Sequence, residues 1–138
     1  MGRIIGIDYG KKRVGLAVTD PLKIFASPLL TVNTQEFDSF IDEYIKKEQV
    51  DGFVVGYAVQ MNNTPSESVK YIEPFIKKLK KRFPGKPVYL EDERFTSKIA
   101  LKTMIDGGVK KTKRQDKKVL DKISASIILQ SWLDKKKQ

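Results

Sequence analysis

The chain has 138 residues, of which 40% are hydrophobic and 32% charged, and its formal net charge is +10. This length is typical of one domain, so we expect residues 1–138 to form a single domain, and the composition is that of a globular protein. No apolar run approaches the roughly 20 residues that cross a bilayer, and no signal-peptide core is visible at the start. These patterns predict a cytoplasmic protein without membrane association.

The sequence contains no Cys and no His. Thiol nucleophiles, disulfides, Ser-His-Asp triads, imidazole bases and ordinary zinc sites are therefore excluded. Any acid, base or metal chemistry has to use Asp, Glu, Lys and Tyr.

Hydrophobic patterns in chain order predict three strands, then a helix, and then strands that alternate with helices. Strands are expected over 3–8, 13–19, 24–30, 51–56 and 86–90. Helices are expected over 35–48, from residue 65 to about residue 83, over 96–106 and over 116–135. This order predicts an α/β fold with a mixed five-stranded sheet flanked by helices.

Positive charge is concentrated in the last third of the chain. Residues 1–93 carry 14 Lys and Arg against 13 Asp and Glu, whereas residues 94–138 carry 13 against 4. Thirteen consecutive residues contain seven of these basic side chains: Lys110, Lys111, Lys113, Arg114, Lys117, Lys118 and Lys122. This density is typical of a surface that binds polyphosphate, although a solvated loop and helix face would also explain it.

Acidic residues follow two of the predicted strands. Asp8 ends the first strand before Gly10, so its side chain is expected at the carboxyl edge of the sheet, where ligands bind in α/β proteins. An Asp before Gly also commonly caps a turn. Glu91, Asp92 and Glu93 follow the last strand, where they either surround a cation or extend into solvent.

A third acidic position, Asp121, lies in the last predicted helix. On a helical wheel it falls between Ile128 and Trp132, inside the apolar arc. Because a lone buried charge is costly, we expect this carboxylate to lie near solvent at the helix start, to be hydrogen-bonded, or to bind a cation. An Asp favoured by the helix dipole is the simpler alternative.

If these acids converge, they form a site for a hard cation such as Mg²⁺ (or Mn²⁺), which prefers oxygen ligands. Two such ions about 4 Å apart can activate water and stabilise the leaving oxygen in phosphodiester hydrolysis. The basic residues that precede Asp121 would then hold a nucleic-acid backbone beside the metal.

Three sequence motifs occur in order along nearly the whole chain. They are Ile-Gly-Ile-Asp-Tyr-Gly from residue 5 with Arg-Val-Gly from residue 13, Asp-Glu-Arg-Phe-Thr-Ser from residue 92, and Leu-Asp-Lys-Ile-Ser-Ala from residue 120 leading to Ile-Leu-Gln-Ser-Trp-Leu. Together they resemble the YqgF family of Holliday junction resolvase-like pre-16S rRNA nucleases. The resemblance implies an RNase H-like fold and a metal-dependent nuclease that matures the 5′ end of 16S rRNA in the cytoplasm.

The same resemblance implies that the catalytic, metal-binding acids are Asp8, Glu93 and Asp121. Nucleic acid, either pre-rRNA or another structured RNA or DNA, is the expected partner, with the ribosome as a possible second one. Nucleic-acid contacts are expected from basic residues near these acids and in the basic segment: Lys11, Lys12, Arg13, Arg94, Lys110, Lys111, Lys113 and Arg114.

Two segments depart from the family pattern. Gly56-Tyr57-Ala58 stands where the family has Gly-Leu-Pro, and Asn62-Asn63 stands where it has Asp-Gly. The strand that ends at Gly56 also offers no carboxylate, unlike that of true junction resolvases. The second acid therefore has to come from Asp92 or Glu93.

Three other functions remain open at this point. A Holliday junction resolvase would act on branched DNA and would need a homodimer with two sites, whereas an rRNA nuclease could act as a monomer. A non-catalytic RNA-binding module would keep the basic surface without turnover. The first strand and turn also resemble actin-like and sugar-kinase ATPases, which need two such domains to enclose a nucleotide.

Overall fold

The computed structural model describes residues 2–57, 69–92 and 117–136. Within these ranges the chain forms β1 (Arg3–Tyr9), β2 (Arg13–Thr19), β3 (Ala26–Asn33), α1 (Phe37–Lys47), β4 (Val50–Tyr57), α2 (Val69–Arg82), β5 (Val88–Asp92) and α3 (Lys117–Lys136). The helix predicted over 96–106 and the polar loop around Asn62 lie outside the described residues.

The five strands form one sheet in the order β3-β2-β1-β4-β5. The pairs β1/β2 and β2/β3 are antiparallel, whereas β1/β4 and β4/β5 are parallel. The predicted α/β fold with a mixed five-stranded sheet is therefore confirmed. Because β1, β4 and β5 run in the same direction, their carboxyl ends share one edge of the sheet, called the carboxyl edge below.

Several element boundaries differ by one to three residues from the prediction, and two of these differences have a local explanation. β3 begins at Ala26 rather than at residue 24, because the Asp20 carboxylate accepts the backbone N–H groups of Leu22, Ile24 and Phe25 and holds them in a loop. A 3₁₀ turn over Thr34–Glu36 precedes α1, so the helix itself begins at Phe37 rather than at residue 35.

Helices cover both faces of the sheet, which gives a three-layer arrangement. One face packs Ile7, Leu16 and Phe53 against α1 and α2. The opposite face packs a second group of buried residues against α3: Ile4, Ala17, Val54, Ala125, Ile128 and Leu129. No helix in the described ranges is long and apolar enough to cross a membrane.

Candidate active site

The start of β2, beside the end of β1, and the first turns of α3 meet at a close contact between backbones. Asp8 lies opposite Gly15 of β2, and directly opposed residues in an antiparallel pair extend their side chains toward the same face. A Cβ atom added to Gly15 would lie 2.1 Å from the carbonyl oxygen of Asp121, so the glycine allows α3 to touch the sheet there. The fold therefore brings Asp8 and Asp121 to the same place.

Both carboxylates line one hollow of about 340 Å³. The rest of its lining comes from the turn between β1 and β2, namely Gly10 and three basic residues: Lys11, Lys12 and Arg13. The two carboxylates can hold a divalent cation while the three basic side chains bind a phosphodiester. Each of these ligands then faces protein groups of the opposite charge.

Thr34, the first residue after β3, stabilises this basic turn through two hydrogen bonds. The Thr34 side chain donates a hydrogen bond to the carbonyl oxygen of Gly10 at 2.8 Å, and its backbone N–H donates to the carbonyl oxygen of Lys12 at 3.0 Å. Within the turn, the Gly10 N–H donates to the Arg13 carbonyl oxygen at 2.9 Å. The turn is therefore held in one shape, which favours pre-organised binding of an anion.

Asp121 is half-buried and paired. Its Oδ2 atom accepts a hydrogen bond from the Arg13 Nε atom at 2.8 Å, and the two side chains are 22% and 30% exposed. Of the situations expected for this carboxylate, the structure shows a hydrogen-bonded side chain near the start of the helix. At the start of α3, the carbonyl oxygen of Lys118 accepts a hydrogen bond from the Thr31 hydroxyl, which connects α3 to β3.

The donor set in the hollow fits a hard divalent cation. Asp8 and Asp121 supply carboxylate oxygens, and the hollow has room for the water molecules that Mg²⁺ usually keeps. No group of three acidic side chains suited to a metal occurs within residues 2–57, 69–92 and 117–136. The third predicted acid, Glu93, lies outside these ranges, as do the predicted contacts Arg94, Lys110, Lys111, Lys113 and Arg114.

Glu91 does not extend into solvent from an exposed strand end, which was one of the two interpretations that the sequence allowed. Its side chain is 4% exposed, and β5 places it in register with Gly56 of β4. Its Oε1 atom accepts a hydrogen bond from Lys135 of α3, while Oε2 is buried without a hydrogen-bond partner among the described residues. For Glu91 the solvent-exposed interpretation is therefore wrong, whereas Asp92 is exposed.

Sequence reasoning missed the pairing of Glu91 with Lys135, although the pattern held a signal for it. Tyr89 and Glu91 are two residues apart on β5, so they share a face, and Tyr89 packs against the cluster under α3. An acid on that face needs a cation from α3, and Lys135 lies three residues after Trp132, one helical turn farther along.

Comparisons with known proteins show the family of the chain. The family described as RuvX, Holliday junction resolvase, matches residues 2–135. A Parabacteroides distasonis protein named "Putative pre-16S rRNA nuclease" is 54% identical over 137 residues, which cover 99% of this chain and 98% of that protein.

Two solved structures share the fold. The Fowlpox virus resolvase in complex with substrate Holliday junction DNA is 10% identical, with a TM-score of 0.62 and 99% of each chain covered. RuvC of T. thermophilus in complex with a Holliday junction substrate is 16% identical, with a TM-score of 0.60 and coverage of 100% of this chain and 98% of that chain. The RNase H-like fold and the family resemblance predicted from the motifs are both confirmed, and the chain belongs to the RuvX/YqgF family.

Proposed function

We propose that this protein is a divalent-metal-dependent nuclease that hydrolyses phosphodiester bonds during 5′ end processing of pre-16S rRNA. The observation that carries the proposal is the convergence of Asp8 and Asp121 on one hollow whose rim is basic. The rRNA substrate is supported by a relative that is 54% identical over nearly the full length of both chains and is named for that activity.

Asp8, Glu93 and Asp121 would hold Mg²⁺ or Mn²⁺ in this proposal. When bound, the metal supplies an activated water and stabilises the leaving oxygen. Asp8 is held in place by the sheet, and Arg13 orients the Asp121 carboxylate through its 2.8 Å hydrogen bond. Both acids therefore keep their positions before any ligand arrives, which reduces the cost of assembling the site.

The basic residues would bind the phosphodiester backbone. Lys11, Lys12 and Arg13 border the hollow itself, and the same role is proposed for Arg94, Lys110, Lys111, Lys113 and Arg114. Contacts to phosphates position a strand without reading its sequence, and they make binding weaken as salt is added. We propose that the single domain acts in the cytoplasm on precursor rRNA, with the ribosome as a partner, as a monomer or homodimer.

A cleavage assay with a precursor of the 16S rRNA 5′ end tests the proposal. Turnover should require Mg²⁺ or Mn²⁺ and stop in EDTA. Asp8→Asn, Glu93→Gln and Asp121→Asn should each lower the rate constant by about 100-fold or more, while RNA affinity changes by only a few-fold. Asp134→Asn is the matched control for Asp121→Asn, because it removes the same charge near the other end of α3.

The outcomes separate the candidate functions. Unimpaired turnover in any of the three variants would reject that residue as a metal ligand. Faster cleavage of a four-way DNA junction than of precursor rRNA would identify a junction resolvase instead. Salt-sensitive RNA binding without turnover under any metal condition would identify a non-catalytic RNA-binding module.

A further inference from the structure

A second hollow of about 280 Å³ lies at the opposite edge of the sheet. Asp51, at the start of β4, and Pro87, just before β5, place it at the amino ends of the parallel strands. α3 reaches this hollow with Trp132, eleven residues after Asp121, which corresponds to roughly 17 Å along the helix axis. The same helix therefore connects the candidate active site to this hollow.

Two aromatic rings form one wall of the hollow. The ring centroids of Tyr89 and Trp132 are 4.8 Å apart, with an angle of 38° between the ring planes. Both rings pack against the apolar cluster that includes Ile4, and both side chains are only half-buried. Partly exposed aromatic rings of this kind are the platforms on which unpaired bases stack.

The exposed ammonium group of Lys136 lies over both rings. The Nζ atom of Lys136 is 4.7 Å from the ring centroid of Trp132 and 5.4 Å from that of Tyr89. Lys23 also lines the hollow, and its Nζ atom is 2.7 Å from the Oδ2 atom of Asp51. Since Asp51 is already neutralised by Lys23, the hollow keeps a net positive charge from Lys136.

We propose that this hollow binds one unpaired nucleobase of the substrate strand, stacked on Tyr89 and Trp132 in place of the exposed Lys136 ammonium, which then binds an adjoining phosphate. The inference rests on the proposed function, because the bound strand is the one cleaved at Asp8 and Asp121. A volume of about 280 Å³ is just below the ~300 Å³ at which small-molecule sites begin, so a single base fits better than a larger ligand. The roughly 17 Å of α3 between Asp121 and Trp132 corresponds to about five nucleotides of a stacked strand, at 3.4 Å each along its axis.

Trp132 is the only tryptophan in the chain, so its fluorescence reports directly on this hollow. The full-length Asp8→Asn variant, kept in EDTA to prevent cleavage, is titrated with a single-stranded oligouridylate of about ten nucleotides. We expect saturable quenching that a blunt RNA duplex of equal length does not produce, because a duplex offers no unpaired base.

Variants in this background identify the contacts. Tyr89→Leu removes the ring but keeps an apolar side chain, and Lys136→Ala removes an exposed cation without disturbing the core. Each should weaken oligouridylate binding by about tenfold. Lys81→Ala is the matched control, since it removes the same charge from the exposed surface of α2 and should change binding by less than twofold.

Several results would overturn the inference. Equal quenching by the duplex or by inorganic polyphosphate would mean that charge alone acts there, without stacking. Unchanged binding by Lys136→Ala, which cannot be attributed to misfolding, would exclude the proposed phosphate contact and with it this site. Tighter binding of polyglutamate than of oligouridylate would assign the hollow to an acidic protein partner. The binding titration is made without cleavage, so a failure to bind oligouridylate would not contradict the proposed nuclease activity. Likewise, a failure of the cleavage assay would not change the result of the binding titration.

Discussion

The contact between Gly15 and α3 offers a direct test of how the candidate active site is assembled. A Cβ atom on residue 15 would lie 2.1 Å from the carbonyl oxygen of Asp121, 2.4 Å from its carbonyl carbon and 3.0 Å from its Cβ atom. The first two are backbone atoms of a helix, so they cannot rotate away as a side chain could. In Gly15→Ala, α3 itself therefore has to move.

The size of the movement follows from these distances. An oxygen 2.1 Å from the new carbon has to retreat by about 1.3 Å before it reaches the 3.4 Å of ordinary contact. Overpacking of this kind usually lowers the free energy of unfolding by about 1–3 kcal/mol. A displacement of about 1 Å at a catalytic group can slow the reaction about 100-fold, so Gly15→Ala should lose most of its cleavage while it remains folded.

Single-turnover cleavage and urea denaturation measure the two effects separately. Gly85→Ala is the matched control, because a Cβ atom there meets nothing within 4 Å, and both its rate and its stability should stay near those of the native chain. Gly6→Ala is a second comparison, since its Cβ atom would lie 2.7 Å from the Leu129 Cβ atom, two turns farther along α3. It should lose stability but retain more activity than Gly15→Ala.

A native cleavage rate in Gly15→Ala would refute this reasoning. It would mean that α3 shifts without moving the Asp121 carboxylate, or that this carboxylate has no part in the reaction. Loss of rate in Gly15→Ala and Gly6→Ala to the same extent, at equal stability, would also count against a local effect on Asp121.

Two further predictions concern ion pairs outside the candidate active site. Lys135→Met leaves the buried Glu91 carboxylate without its cation, so urea denaturation should show a loss of about 1–3 kcal/mol that the double variant with Glu91→Leu largely restores. An unchanged free energy of unfolding in the single variant would mean that this ion pair does not stabilise the fold. The hydrogen bond from Lys23 holds the pKa of Asp51 below its ordinary value of 3.8, so the stabilisation by Asp51 is present above that pH and is lost as the pH falls through the lowered pKa. The difference in unfolding free energy between the native chain and Asp51→Asn should therefore narrow between pH 5 and pH 2, and a constant difference would contradict the pairing.

Much of the fold could be predicted because its signals are local. The stripe of Phe37, Phe40, Ile41, Tyr44 and Ile45 indicates a helix by spacing alone, and α1 runs over Phe37–Lys47. β2 has the predicted bounds, and β1 extends only to Tyr9 beyond the predicted end. The spacing of apolar residues and the flanking turn residues suffice to predict such elements, since the conformation of each depends on its own segment.

Features of the site that depend on distant partners could not be predicted in the same way. The helical wheel placed Asp121 in an apolar arc, where a hydrogen-bond partner was one expectation. Arg13, however, is 108 residues away in the sequence, and no pattern in α3 identifies it as that partner. The alternation on β5 indicates that Glu91 faces the same side as Tyr89, but only the position of α3 shows that Lys135 is its partner. Both pairings are decided by the path of α3 across the sheet.

That path depends on an asymmetry between the two faces of the sheet. The face toward α1 and α2 presents large residues such as Ile7, Leu16 and Phe53, whereas the face toward α3 presents Gly6, Gly15 and Ala17. Small residues let the helix backbone approach the strands, and the approach is closest at Gly15, opposite Asp8. The glycines are thus as necessary to the candidate active site as the carboxylates, because without them the two acids would be held apart by an ordinary layer of side chains.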